Sequence, residues 1–269
     1  MSMEISASAT TVAQIQPWRE MYRGEMNCQI VHDSLHYREG WTQPYALMLG
    51  DTMVGYGSIA QAGPWKGTPT AFEFYVVPPY RSHVFKLFSA FLSASGAVAM
   101  EVQTNDPIIT VMFQSLVHPV LNEKIVFRDE LTTTNSLPGA IFRQVTSQDT
   151  AQIRENELDE SAGSQAWVVE VDGKVVALGG ILYHYNKPYG DIFMSVSAAF
   201  RRRGIGSYLV QELKRVCYER GGIPAARCSP DNIASRLTLQ RAGLVPYCNK
   251  LSGPIDPERR KKLWPDSQS

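Results

Sequence analysis

Three arginines and two glycines stand together at Arg201-Arg202-Arg203-Gly204-Ile205-Gly206, followed by Ser207. An apolar, extended-looking run, IFMSV at 192–196, leads into them. An amphipathic pattern, SYLVQELKRVCYERGG, leads out. The spacing predicts a strand, a tight loop and a helix N-terminus. The first N–H groups of a helix have no intrahelical partner, and the helix dipole makes that end positive. Gly204 and Gly206 let the backbone approach an anion closely, and the arginines add a density of positive charge that no other stretch matches. The chemistry this suits is the holding of a pyrophosphate. The pattern is R-x-x-G-x-G, which is neither the G-x-G-x-x-G of dinucleotide sites nor a Walker loop. Alone, it is equally a solvated turn with a basic rim.

A short strand-like run at 225–228 follows, then Ser229-Pro230-Asp231-Asn232, then a helix pattern ending at Ala242-Gly243-Leu244. Arg201-x-x-Gly204-x-Gly206, Asn232-x-x-Ser235 and Gly243-Leu244, in that order and spacing, resemble motifs A and B of the GNAT superfamily of acyl-CoA-dependent N-acyltransferases. The resemblance covers about residues 168–251.

It implies acetyl-CoA as cosubstrate and transfer of its acyl group to an amine of a small molecule or peptide. The implied fold is mixed α/β, with strand 191–197 splayed from its neighbour. The pantetheine arm would lie in the wedge beside Met194, Ser195 and Val196, bonded to the main chain of Met194 and Val196. The pyrophosphate would sit on amides of Arg202, Arg203, Gly204, Ile205, Gly206 and Ser207. Asn232 and Ser235 come from the second motif. Arg201 or Arg202 could meet the 3′-phosphate. Family members often place a tyrosine seven residues after the motif asparagine to protonate the thiolate, but Leu239 stands there. Asp191 is the candidate base, or a hairpin-turn aspartate after Gly190. Tyr183, His184, Tyr185 and Tyr189 either line an acceptor pocket or cap a sheet edge. A non-catalytic acyl-CoA sensor is the alternative function, favoured by Leu239. A nucleotide-dependent dehydrogenase fits poorly, because no acidic residue follows at the ribose-binding distance.

The elements that must position these groups recur. Met53-Val54-Gly55-Tyr56-Gly57 stands against Val175-Val176-Ala177-Leu178-Gly179, and Val76 to Arg81 against Val196 to Arg201. The first half has no glycine after Arg81, where Ser82-His83-Val84-Phe85-Lys86 would fill a pyrophosphate site. The expectation is therefore two tandem GNAT-like domains, each a mostly antiparallel twisted sheet flanked by helices. A degenerate one would span 1–135, and an acyl-CoA-binding one 136–269, parted at a Thr/Asn/Ser/Pro-rich stretch. Residues 1–12 read as loose, and 14–26 and 29–39 as two short helices.

Composition adds exclusions. The 269 residues suit two domains, and 44% apolar residues suffice for cores. With 26 basic and 26 acidic side chains, nothing calls for nucleic acid or an anionic membrane. Cys28, Cys217, Cys228 and Cys248 show no paired spacing, so neither a disulfide frame nor a metal site is expected. No basic-then-apolar leader and no apolar run of membrane length occur, and a cytoplasmic protein is expected.

Overall fold

The computed structural model describes residues 4–158 and 166–265. Its elements in chain order are β1 (Ile5–Ala9), α1 (Val12–Met26), β2 (Thr42–Leu49), β3 (Thr52–Ala60), β4 (Thr70–Val76), α2 (Val84–Ser95), β5 (Ala99–Gln103), α3 (Pro107–Leu116), β6 (Leu121–Asp129), β7 (Ala140–Gln144), α4 (Thr150–Glu155), β8 (Trp167–Val171), β9 (Lys174–Leu182), β10 (Tyr189–Val196), α5 (Ile205–Glu219), β11 (Ile223–Cys228), α6 (Ile233–Arg241), β12 (Leu244–Pro254) and α7 (Pro257–Leu263). Two compact units result. One holds the residues up to Glu123 together with those from Cys248 on; the other is Lys124–Tyr247. The sequence suggested a parting at 135/136; the units part at 123/124 and again at 247/248.

In the first unit the strands run β1-β2-β3-β4-β5-β12, all antiparallel neighbours except β4 and β5. Within the stretch expected to be loose, Ile5–Ala9 pairs with β2 from Leu49 to Tyr45. Thr11 and Gln14 form a capping box that starts α1. The second expected helix is only a 3-10 turn, Asp33–Tyr37. The apolar stripe of α2 buries Leu87, Phe88, Phe91 and Leu92, and Gly96 ends it at φ 64°.

β4 and β5 pair in parallel only at Thr70↔Ala99 and Ala71↔Met100, then part. The gap is packed with side chains. The void among Tyr22, Ile30, His32, Glu73, Glu101 and their neighbours measures about 10 Å³. Beyond β4, Pro78–His83 is a 3-10 turn running into α2. Arg81 Nε donates to the Val76 carbonyl at 2.9 Å, and its guanidinium is neutralised by Glu25.

The packed gap holds a buried charge network. Glu73 Oε2 meets His36 Nε2 at 2.9 Å, accepts from Tyr56 Oη at 2.9 Å and lies 3.9 Å from Arg19 Nε. Glu101 meets His32 and Lys250 and accepts from Trp65 Nε1 at 3.2 Å. Burial would raise both carboxyls, but His36 and Arg19, and His32 and Lys250, hold them down to about 2. Among the described residues no cation pairs with Asp106, and burial pushes it up to about 6 against its cap bonds to Ile108 and Ile109. The signs oppose each other. Glu73 and Glu101 contribute stability that is complete above their unfolded value, about 4.5, and is lost as pH falls toward 2. Asp106 contributes stability that is complete below about 3.8 and lost as pH rises through 6. The melting temperature is therefore expected to peak between about pH 4.5 and 6. Asp106→Asn should flatten the neutral side, and Glu73→Gln should move the maximum and lower the whole curve. Melts from pH 3 to 8 that show no such maximum would remove this account.

In the second unit the strands run β6-β11-β10-β9-β8-β7, again with one parallel pair, β10 and β11. Asp172 and Gly173 both take positive φ in the β8–β9 turn, as a two-residue hairpin requires. Ile205, Leu209, Val210, Leu213 and Val216 of α5 bury one face against Ile181, Ile192 and Ala226.

Candidate active site

β10 and β11 pair only at Tyr189↔Ile223, Gly190↔Pro224 and Asp191↔Ala225. Past Asp191 this ladder ends, while β11 stays paired along its other edge with β6 from Ala225 to Cys228. β10 meanwhile stays on β9 as far as Val196↔Ala177. Ser197 N–H donates to the Val176 carbonyl at 3.0 Å. Because antiparallel bonding alternates, Ser195 and Phe193 spend their amides on β9, while Met194 and Val196 turn theirs to the open wedge. This is the parity expected for Met194 and Val196; Ser195 contributes to the wall, not to that edge.

The wedge opens into a cleft of about 850 Å³. Met194, Ser195, Val196, Arg201, Arg202, Gly204, Ile205, Gly206, Ser207, Asn232 and Ser235 all line it. Arg203 does not; its guanidinium lies 5.2 Å from the Phe200 ring centroid. Arg202 and Gly204 take φ of 64° and 82°, the left-handed turn that swings the chain from β10 into α5. No side chain caps α5, so the amides of its first turn are left to a ligand or solvent. A Cβ on Gly206 would lie 3.0 Å from Thr238 Cγ2 and 3.5 Å from Val196 Cγ2, so the glycine keeps the floor of the cleft open.

The basic side chains have separate tasks. Arg201 Nε donates to the Val196 carbonyl at 3.1 Å, the same bond that Arg81 makes to Val76 in the first unit. Arg201 thus shapes the loop and occupies one wedge carbonyl, while Arg202 faces the cleft. Arg241 and Thr238 also line it, two residues outside the motif positions. Asn232 spends its Oδ1 as N-cap of α6, accepting from Ser235 N at 2.9 Å. Leu239 is buried among Ile192, Cys228 and Leu244 and offers no proton. Burial pushes the Cys228 thiol up, so it stays protonated and inert.

Asp191 is at the vertex, in the last paired row before the strands part, and is 5% exposed. Its Oδ2 lies 3.0 Å from His184 Nε2 and 3.4 Å from Arg227 Nε. It is held by charge partners and is not a free hairpin-turn aspartate. His184 also packs edge-on against Tyr185 at 4.6 Å. Among the described residues no cluster of three or more His, Cys, Asp or Glu could hold a metal ion, and no helix is long and apolar enough to cross a membrane.

Two parallel strands that part toward an uncapped, glycine-bearing helix start make a cleft for an extended ligand that ends in phosphates. Residues 131–244 match the model of the acetyltransferase (GNAT) family, and this part of the chain is a GNAT domain. In three dimensions the chain is similar to a GNAT-family acetyltransferase from Colwellia psychrerythraea, with TM-score 0.68 and 12% identity over 93% of this chain and 100% of that one. It is also similar to a tandem GNAT protein from the clavulanic acid biosynthesis pathway, solved without AcCoA, with TM-score 0.60 and 13% identity over 94% and 99% of the two chains. A GCN5-related N-acetyltransferase from Sphaerobacter thermophilus gives 0.58 and 17% over 94% and 96%. At these identities the likeness is one of fold, and that fold is two tandem GNAT-like units. A comparison with curated proteins finds no match in sequence.

Proposed function

We propose that this protein moves an acetyl group from acetyl-CoA directly to a primary amine of a small molecule or peptide. The observation that carries the reading is the wedge: the main chain of Met194 and Val196 faces an open edge that leads to the bare amides of α5. The pantetheine arm would bond to that edge, and the pyrophosphate would sit on the amides of residues 202–207, with Arg202 and Arg241 nearest for further phosphate charge. The chemistry has three needs. The amine must lose a proton to a base at the vertex. A wedge N–H must meet the oxyanion. The thiolate must leave, and with Leu239 in place of a tyrosine its proton comes from water or from the attacking amine. The second reading, a non-catalytic acyl-CoA sensor, draws support from that same buried leucine. Free thiol released from acetyl-CoA separates the two, measured with the twenty amino acids, spermidine and simple aliphatic amines. Release with any amine beyond the buffer rate supports transfer. CoA binding without release leaves the sensor, and absence of CoA binding defeats both. We expect a cytoplasmic protein.

The first unit is a degenerate partner in this reading, since side chains fill its wedge and Glu25 neutralises Arg81. One acetyl-CoA per chain is therefore expected in a calorimetric titration. At a hundredfold excess over the dissociation constant it should stabilise the fold by about 2.7 kcal/mol. Two equivalent sites would overturn the assignment of the first unit.

A further inference from the structure

We infer that Arg241, on α6, reads the 3′-phosphate at the adenosine end of the cosubstrate, so that the cleft prefers coenzyme A to its 3′-dephospho form. This deepens the acyl-CoA part of the reading above and rests on it. Ile233, Leu237 and Arg241 line the cleft at i, i+4 and i+8 of α6, and so form one stripe on that helix. Ile233 is 56% exposed and Leu237 44%, two large apolar side chains left open to the cleft. Helical side chains lean toward the N-terminus, which carries the Arg241 guanidinium back toward Leu237. An apolar strip that ends in a guanidinium suits a flat base whose ribose carries its own phosphate.

The arginines sort by what already engages them. Arg201 Nε is bonded to the Val196 carbonyl, and Arg203 lies over the Phe200 ring outside the cleft lining. Among the described residues no carboxylate pairs with Arg202 or Arg241, and both line the cleft. Arg202 shares its loop with the amides at the start of α5 and goes with the pyrophosphate held there. Arg241 comes from the other helix and is left for a second, separate phosphate, which a guanidinium meets through two parallel N–H bonds. Its place relative to those amides is fixed. α6 abuts the start of α5 at Thr238, one turn before Arg241: Ser207 Oγ donates to the Thr238 carbonyl at 3.4 Å, and a Cβ on Gly206 would lie 3.0 Å from Thr238 Cγ2. The end of α6 is tied down through its main chain. Asn135 Nδ2 donates to the Arg241 carbonyl at 3.1 Å and Lys214 Nζ to the Ala242 carbonyl at 2.7 Å. The backbone under the guanidinium is thus already ordered, so little is lost in ordering it when a ligand binds.

The test titrates the full chain with CoA and with 3′-dephospho-CoA at low salt. The wild type should bind CoA about tenfold more tightly, the lower end of what hydrogen bonds to a charged group contribute. Arg241→Gln should bind CoA no better than the wild type binds dephospho-CoA, with its affinity for dephospho-CoA and its melting temperature unchanged. A loss confined to the ligand with the 3′-phosphate is one that a merely structural role would not produce. Arg241→Lys keeps the charge without the fork and should retain part of the preference. Arg202→Gln and Leu237→Ser should each weaken both ligands alike. Equal binding of the two ligands by the wild type overturns the inference and leaves the acyl-CoA reading standing. A loss in Arg241→Gln that falls equally on both ligands overturns it as well, and so does a preference abolished by Arg202→Gln but kept in Arg241→Gln. If Leu237→Ser binds CoA as the wild type does, the adenosine end lies elsewhere and the inference is overturned. Should the wild type bind neither ligand, the acyl-CoA reading falls first and this one with it.

Discussion

Gly206→Val is expected to bind CoA at least a hundredfold more weakly than the wild type, about 2.7 kcal/mol, while the protein still folds. The β-branched side chain would stand on the amides at the start of α5, and its Cβ alone would press Thr238 at 3.0 Å. Overpacking of this kind costs about 1–3 kcal/mol, so some loss of melting temperature accompanies the loss of binding. Two explanations of weaker binding must be parted: obstructed amides, or an α6 pushed away from α5. Gly206→Val combined with Thr238→Ala removes the pressed atoms and leaves the valine over the amides. Titration of both variants decides. If affinity returns in the double variant, the valine acted by displacing α6; if Gly206→Val binds CoA as the wild type does, the phosphate assignment is lost. Gly204→Asn makes a useful control. The position needs φ of 82° but has open space around its Cβ, and asparagine tolerates that region.

Residues 136–269 made alone should not fold, whereas residues 121–247 should melt cooperatively and bind CoA. The longer piece spans all of the second half as the sequence divides it, yet lacks β6. β11 then loses its partner from Ala225 to Cys228. The core loses Phe127, which is fully buried; deleting such a ring costs about 3–5 kcal/mol. Lys214, 5% exposed, loses Asp129 at 2.6 Å and the Leu131 carbonyl at 2.8 Å. A buried charge stripped of its partner costs a further 3–5 kcal/mol or so. Together these rival the 5–15 kcal/mol that holds an ordinary domain together. Circular dichroism melts of the two pieces check the claim, and a cooperative melt for 136–269 with none for 121–247 would return the boundary to 135/136.

The site was more legible in the sequence than the units that carry it. A turn needing two left-handed residues and an uncapped helix leaves a local signature, and Arg201 to Gly206 displays it. The repeat was legible for a similar reason: Val76 with Arg81 and Val196 with Arg201 make the same side-chain-to-carbonyl bond, so the spacing between them is fixed. Strand partners are another matter. Leu121–Asp129 and Leu244–Pro254 carry apolar residues fit for a sheet, but nothing in either run says which edge it joins. The vertex was half legible. Asp191 drew notice by its place, and His184 by its crowded turn. That Arg227 completes the group depends on β11 lying beside β10, a pairing of strands far apart in the chain. β1 escaped because its alternation, ISASA, is made of small residues.

The first unit's edge strand has a consequence for the order in which the protein is made. Gln103 of β5 pairs with Lys250 of β12, which a ribosome adds 147 residues later. At roughly 5–20 residues per second that is a wait of about 7–30 s. Through that interval the nascent first unit presents β5 with one side unbonded, an invitation to other strands. Glu101 of β5 likewise waits for Lys250. A charged residue on an unpaired strand edge disfavours pairing with other strands, and Glu101 is such a residue until Lys250 arrives.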